Sequence, residues 1–235
     1  MPVEPQDTAD ASTKIAADTE PHDAELDHPV QPTHTPPLIP LHKSELPLGV
    51  LGETKDFAKV YGRSAPLAVE IGCGGGRTVI GMAEARPAWN FLGCERAGEY
   101  YRLLLERAEK RLMPNFRITR CDATYLIARF FPDASVHEYH IYFPDPWPKK
   151  RHHKRRLISE SFCAQLKRTL IPGGILYFAT DHAEYYEELL PRVRVALAVR
   201  EHPEPWPDAP EGRTNYEIKY LKQGRPIHRF VGTNK

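Results

Sequence analysis

"LAVEIGCGGGRT", residues 67 to 78, runs from an unbroken apolar stretch through a cluster of glycines into a polar segment. Five largely apolar residues closed by a turn signal suit a strand buried on both faces, and the glycines suit a tight turn from that strand into a helix. Small residues at such a turn let backbone N–H groups approach a ligand closely. The dinucleotide pattern G-x-G-x-x-G needs a glycine at 77, where Arg77 stands, and the phosphate loop G-x-x-x-x-G-K-[ST] lacks its lysine. Glu70, two residues before Gly72, opposes a pyrophosphate and favours a cation.

Outward from this turn the same alternation repeats. "NFLGCE" (90–95), "NFRIT" (115–119), "EYHIYF" (138–143) and "GILYFAT" (174–180) read as further strands, with helical period between them. One predicted helix spans 97–112, with a stripe of Tyr100, Tyr101, Leu104, Leu105, Ala108 and Leu112. A second spans 158–170, carries Ile158, Phe162, Leu166 and Leu170, and is stopped by Pro-Gly-Gly. Strand and helix in regular succession imply an α/β fold, a mostly parallel sheet with helices on both faces. Ligands in such sheets bind at the carboxyl ends of the strands. Those ends carry Glu70, Glu95, Asp122, Asp145 and Asp181. S-adenosylmethionine, with an ammonium and a sulfonium, suits this acid rim better than a phosphorylated coenzyme. Glu95 is placed to accept from both ribose hydroxyls. Asp122 has two readings: an acceptor for an adenine amino group, or the N-cap of a helix from Ala123.

The 235 residues suffice for one sizeable core. Net charge is +1, yet residues 1–40 hold eight acids against the single Lys14, so the remainder carries about +8. A basic body favours a polyanionic partner. Residues 1–46, acidic, Pro-rich and free of aromatics, read as a disordered tail, with one domain from 47 to 235. Cys73, Cys94, Cys121 and Cys163 form no C-x-x-C pair and read as reduced, buried thiols. No apolar run approaches the roughly 18 residues of a membrane span, and no secretory signal begins the chain, so the cytoplasm is the expected location.

"FPDPWPKKRHHKRR" (143–156) sets one carboxylate between prolines and follows it with six Lys/Arg and two His. Phe143, Asp145 and Trp147 each precede a proline, which disfavours the helical basin and predicts extended backbone that aims Asp145. The basic run suits phosphate contacts, though a solvated charged loop has the same composition. Its His pair has no partner at zinc-ligand spacing, so no metal is expected.

Together "EIGCGGG", Glu95, Asp122, "FPDPW", "KKRHHKRR", "ATD" (179–181) and "TNYE" (214–217) resemble the tRNA (guanine-N7)-methyltransferase family of class I adenosylmethionine enzymes, over roughly residues 66–232. The resemblance implies a Rossmann-like fold with a mostly parallel seven-stranded sheet. It implies methyl transfer from S-adenosyl-L-methionine to N7 of a tRNA guanosine, at position 46 in the variable loop. Asp145 becomes the catalytic residue, with Glu70, Gly72, Gly74, Glu95, Asp122 and Asp145 facing the cofactor. Lys149, Asp181, Thr214, Asn215, Tyr216 and Glu217 become substrate contacts, Glu217 reading the guanine edge and Tyr216 stacking. Arg151, His152, His153, Lys154, Arg155 and Arg156 become the tRNA-backbone contacts. Two rivals remain: methylation of another RNA position or an exocyclic amine, and a non-catalytic RNA-binding relative. The oligomeric state is not legible.

Overall fold

The computed structural model describes residues 43–54 and 56–235. Seven strands form one sheet in the order β3-β2-β1-β4-β5-β7-β6. β1 (Leu67–Ile71), β2 (Asn90–Cys94), β3 (Phe116–Thr119), β4 (Val136–Tyr142) and β5 (Leu170–Thr180) are mutually parallel. β6 (Ala198–Glu201) and β7 (His228–Thr233) join antiparallel. The five parallel strands fall within a few residues of their expected positions. The last two carry no comparable apolar run and entered the expectation only through the family resemblance.

The preceding helices are α1 (Leu48–Thr54), α2 (Phe57–Tyr61), α3 (Arg77–Ala85) and α4 (Gly98–Arg111), followed by α5 (Ala123–Phe130), α6 (Glu160–Thr169), α7 (Ala183–Ala196) and α8 (Asn215–Lys222). Alternate residues of a strand face opposite sides, and the core divides accordingly. Leu67, Val69 and Ile71 pack with α1, α2, α5, α6 and α7, whereas Ala68 packs with Val79, Ile80 and Ala83 of α3 and Leu104, Leu105 and Ala108 of α4. Each large side chain so buried stabilises the fold by roughly 1.5–3 kcal/mol.

Four expectations need correction. Residues 1–42 lie outside the described residues, but Ser44 and Leu46 belong to the domain: both are buried, and their backbones bond Ile118 at 2.7 and 2.8 Å along the edge of β3. The pairing covers a sheet edge, so the boundary falls before 47. On α4, Tyr100 and Leu112 leave the apolar stripe: Tyr100 turns to solvent and Leu112 ends the helix in the left-handed region at φ 51°. α6 ends at Thr169, and Leu170 already pairs with Val136; the register then shifts, so Pro-Gly-Gly forms a bulge inside β5 rather than a helix stop. Cys121 is only half-buried, although all four cysteines are free thiols. Among the described residues, no helix is long and apolar enough to cross a membrane.

Candidate active site and RNA-facing surface

The strand order places the five acids along one edge of the sheet: Asp122 after β3, Glu95 after β2, Glu70 in β1, Asp145 after β4 and Asp181 after β5. From β1 the chain runs outward through β2 to β3 and then crosses back to β4 on the other side of β1, and the crevice at this reversal is where α/β sheets bind ligands.

The glycine turn is shaped by its backbone. Gly74 has φ 49°, and a Cβ there would meet nothing within 4 Å, so this residue faces open space. Gly76 has φ 78°, and a Cβ there would collide with Leu104. The first opens a cradle; the second lets α3 start close against α4. Three side chains brace the loop from outside. Glu95 accepts from Gly74 N–H at 2.8 Å and, through its other oxygen, from Ala97 N–H at 2.8 Å. Arg107 donates to the Gly75 carbonyl. Thr78 donates its hydroxyl to the Arg213 carbonyl at 2.7 Å. Glu95 is thus first a loop brace, with further lone pairs remaining on both oxygens.

Glu70 is buried, and its Oε2 has no hydrogen-bond partner. Burial pushes its carboxyl up to about 8, opposed by the Val79 N–H and the Arg213 charge and reinforced by Glu95. Asp122 caps α5, accepting from Thr124 and Tyr125 N–H at 2.9 and 3.2 Å, so the capping reading holds; its other oxygen lies 4.0 Å from Arg96. Asp145 is exposed and makes no hydrogen bond or ion pair to another described residue.

The backbone around Asp145 is not extended as expected. Phe143 and Trp147 adopt φ 51° and 43°, left-handed values that cost about 1–3 kcal/mol each and concentrate at ligand sites. Proline excludes the right-handed helical basin before it. Packing selects the reversed one: Phe143 lies 5.6 Å from the Tyr220 ring and 6.2 Å from Tyr216, and Trp147 lies beneath Arg155 at 5.1 Å.

The basic run forms a 3₁₀ helix, Lys150–Arg155, and its charges divide into two sets. Lys149, Arg151, Lys154 and Arg155 are exposed; His152 is half-buried against Trp147. Arg156 is buried, donating to the Pro146 carbonyl at 2.8 Å and pairing with Glu184 and Glu188 of α7. His153 stands 3.7 Å from each of the same two glutamates. Arg156 therefore bolts the helix to α7 and is withdrawn from phosphate contact, because its guanidinium is already matched inside the protein. His153, Glu184 and Glu188 also group closely enough to resemble a metal-ligand set, but Arg156 and Arg192 already pair with the two carboxylates.

Asp181 is paired too, accepting from Arg225 at 2.6 Å, while Arg225 lies 4.1 Å over the Tyr220 ring. Thr214 caps α8 by accepting from Glu217 N–H at 3.0 Å; Asn215 and Tyr216 are exposed on the first turn. Glu217 is fully buried, with Oε1 on Arg229 at 2.7 Å and Oε2 on Arg213 N–H at 2.7 Å. It is not presented to read a base edge. Oε2 holds the turn that precedes Thr214, and Oε1 ties it to Arg229 of β7. Phe143, Tyr220 and Arg225 escaped the sequence reading: Phe143 was read only for its backbone, and the other two bear no local motif and are joined to the site only by tertiary contact.

A family model described as "Putative methyltransferase" matches residues 64–230. A tRNA (guanine-N(7)-)-methyltransferase of Alkalilimnicola ehrlichii is 36% identical over 179 residues, covering 75% of this chain and 76% of the relative. This chain belongs to the tRNA (guanine-N7)-methyltransferase family. The family's enzyme from Bordetella pertussis is 39% identical over 174 residues, 73% of this chain and 68% of the relative. At the level of fold, a crystal structure of the 16S rRNA methyltransferase KamB aligns with TM-score 0.56 at 17% identity, covering 77% of this chain and 94% of that one. The family match spans both the glycine loop and the "TNYE" turn, which the Thr78 bond to the Arg213 carbonyl joins.

Proposed function

We propose that this methyltransferase transfers a methyl group from S-adenosyl-L-methionine to N7 of a guanosine in tRNA, at position 46 of the variable loop, in the cytoplasm. The observation that carries this reading is a buried, unpartnered Glu70 oxygen beside an open glycine cradle, on the same sheet edge as an unpaired Asp145 and an exposed basic helix. Membership of the family supports the reaction; the position within tRNA rests on the family resemblance.

The donor set fits adenosylmethionine. Glu70 offers an acceptor without a partner, and added Cβ atoms at Gly72 and Gly74 would meet nothing, leaving room for a ligand to lie against the loop, whose N–H groups at these two residues are held by the Cys94 carbonyl and Glu95. Glu95 and Asp122 flank the loop with spare acceptor capacity for hydroxyl and amino groups. When bound, the cofactor supplies an electrophilic methyl carbon on a sulfonium.

Guanine N7 carries a free lone pair at neutral pH. As the C–N bond forms, the C–S bond breaks with its electron pair staying on sulfur, and no proton leaves the base. A strong general base is unnecessary. What the protein must supply is in-line positioning and stabilisation of the positive charge that develops on the purine. Asp145, exposed and unpaired at the exit of β4, serves both needs. Tyr216, exposed beside Phe143 and Tyr220, offers an aromatic surface for stacking the base. Asp181 reaches substrate by exchanging its partner Arg225. Lys149, Arg151, Lys154 and Arg155 hold phosphates, with His152 beside them.

The test is a nucleoside digest of unmodified tRNA after incubation with methyl-labelled adenosylmethionine. Label in N7-methylguanosine is expected, and a tRNA transcript with another base in place of guanosine 46 should remain unlabelled. Label only in another nucleoside, or tRNA binding without any transfer by folded protein, refutes the reading.

A further inference from the structure

Arg213 stands immediately before the α8 cap and joins three parts of the molecule. Its guanidinium is enclosed by aromatic rings, 4.6 Å from Trp206, 4.7 Å from Tyr177 and 6.0 Å from Tyr142. Nη1 donates to the Tyr142 hydroxyl at 2.6 Å and Nη2 to Asp208 at 2.6 Å. The backbone links α8 to the start of α3. Arg213 N–H donates to Glu217, and its carbonyl accepts from Thr78, in the first turn of α3 just after the glycine loop.

A polar chain along one face of β4 holds the guanidinium in place. Glu138, held ionised by its contacts with His140 and Arg86, accepts from Arg86 at 2.8 Å and from His140 Nε2–H at 3.1 Å. Burial keeps His140 neutral, so its Nδ1 accepts from the Tyr142 hydroxyl at 2.8 Å, and the Tyr142 oxygen accepts in turn from Arg213. Charges alternate along this chain: Arg86 positive, Glu138 negative, His140 neutral, Arg213 positive, Asp208 negative. Each hydrogen-bonding direction is set by the one before it, so the end at Arg213 has a single orientation.

We infer that Arg213 is a positioning residue: locked by Tyr142 and Asp208, it ties the glycine loop, through Thr78, to the turn bearing Thr214 and Tyr216, and so sets the geometry of the donor pocket. Neither Arg213 nor Thr78 need touch a ligand to do this. The inference deepens the proposed methyl transfer and rests on its choice of donor. The contact sits where it has leverage, because Thr78 is two residues from Gly76 and eight from Glu70.

Two substitutions test it, read by calorimetry of adenosylmethionine binding without tRNA. Thr78→Val deletes one hydroxyl with little change of shape, and Arg213→Met keeps an apolar stem inside the cage. Loss of one neutral hydrogen bond predicts donor binding about 5-fold weaker in Thr78→Val, with a larger loss in Arg213→Met. Because both act through one contact, the double variant should lose less than the product of the two. In turnover, Thr78→Val should raise KM for the donor while kcat at saturating donor stays within about 2-fold, a split that general destabilisation does not produce. Arg213→Lys, which keeps the charge but cannot donate to Tyr142 and Asp208 together, should recover only part of the loss. Unchanged donor affinity in Thr78→Val, or strictly multiplicative effects in the double variant, overturns the inference. Donor binding is read without RNA, so an error in the assigned nucleobase leaves this result intact.

Discussion

Glu70 keeps a carboxyl among backbone and apolar atoms, and burial raises its pKa from the ordinary 4.5 to about 8. Between those values the folded protein holds a proton that the unfolded chain has released. The group's contribution to stability therefore falls as pH rises through that window, and the full cost of burying the charge is present above it. Urea midpoints measured from about pH 5 to 8 should decline less steeply in Glu70→Gln than in the parent; equal slopes would exclude the shift. A cationic donor bound beside Glu70 should favour its ionised form, so binding near pH 7 releases a proton. Calorimetry in buffers of different ionisation enthalpy should detect that release in the parent and lose it in Glu70→Gln. Asp145 poses the opposite case, an acid in the open between two residues of left-handed φ. Asp145→Ala should reduce kcat by about 10²-fold or more while tRNA affinity changes little, since its charge opposes the phosphates. Parent-like turnover would remove Asp145 from the mechanism.

At the scale of elements, composition showed a basic run but not its division. Arg155 is exposed over Trp147, whereas the adjacent Arg156 is inside, matched to Glu184 and Glu188. Arg155→Ala should weaken tRNA binding and reduce the salt slope by about one unit, with the unfolding midpoint unmoved. Arg156→Met should instead lower the midpoint, because Glu184 loses its arginine partner and Glu188 keeps only Arg192. The reverse pattern in filter-binding and urea experiments would exchange the two assignments. α8 depends on a similar bolt: Glu217 and Arg229 of β7 are both buried and bonded at 2.7 Å. Arg229→Met leaves that carboxylate uncompensated and should cost about 3–5 kcal/mol in urea unfolding. A change below about 1 kcal/mol would show that the pair is not holding α8. Sequence spacing could place Thr214 as a cap, since Glu217 follows at the capping-box distance. It could not show that this glutamate turns inward, because its partner Arg229 belongs to a strand with no readable pattern.

For the whole molecule, the charge balance separates the first 40 residues from the rest. Eight acids against one lysine precede a body that carries about +8. Removing residues 1–42 should tighten binding to any RNA at low salt, and the difference should fade at higher salt as screening shortens the range of the field. Indistinguishable binding curves across the salt series would show that these charges do not reach the RNA-facing surface. The positions of the five parallel strands, the glycine turn and an acid at each strand end were legible in the sequence itself, because they depend on apolar period and turn chemistry within a few residues. What became of those charges was decided only by the tertiary structure. Arg156 meets Glu188 across 32 residues, Asp181 meets Arg225 across 44, and Thr78 meets the Arg213 carbonyl across 135. Whether a charged side chain faces a ligand or is spent on an internal partner depends on which distant group folding brings beside it, and on how much water remains there.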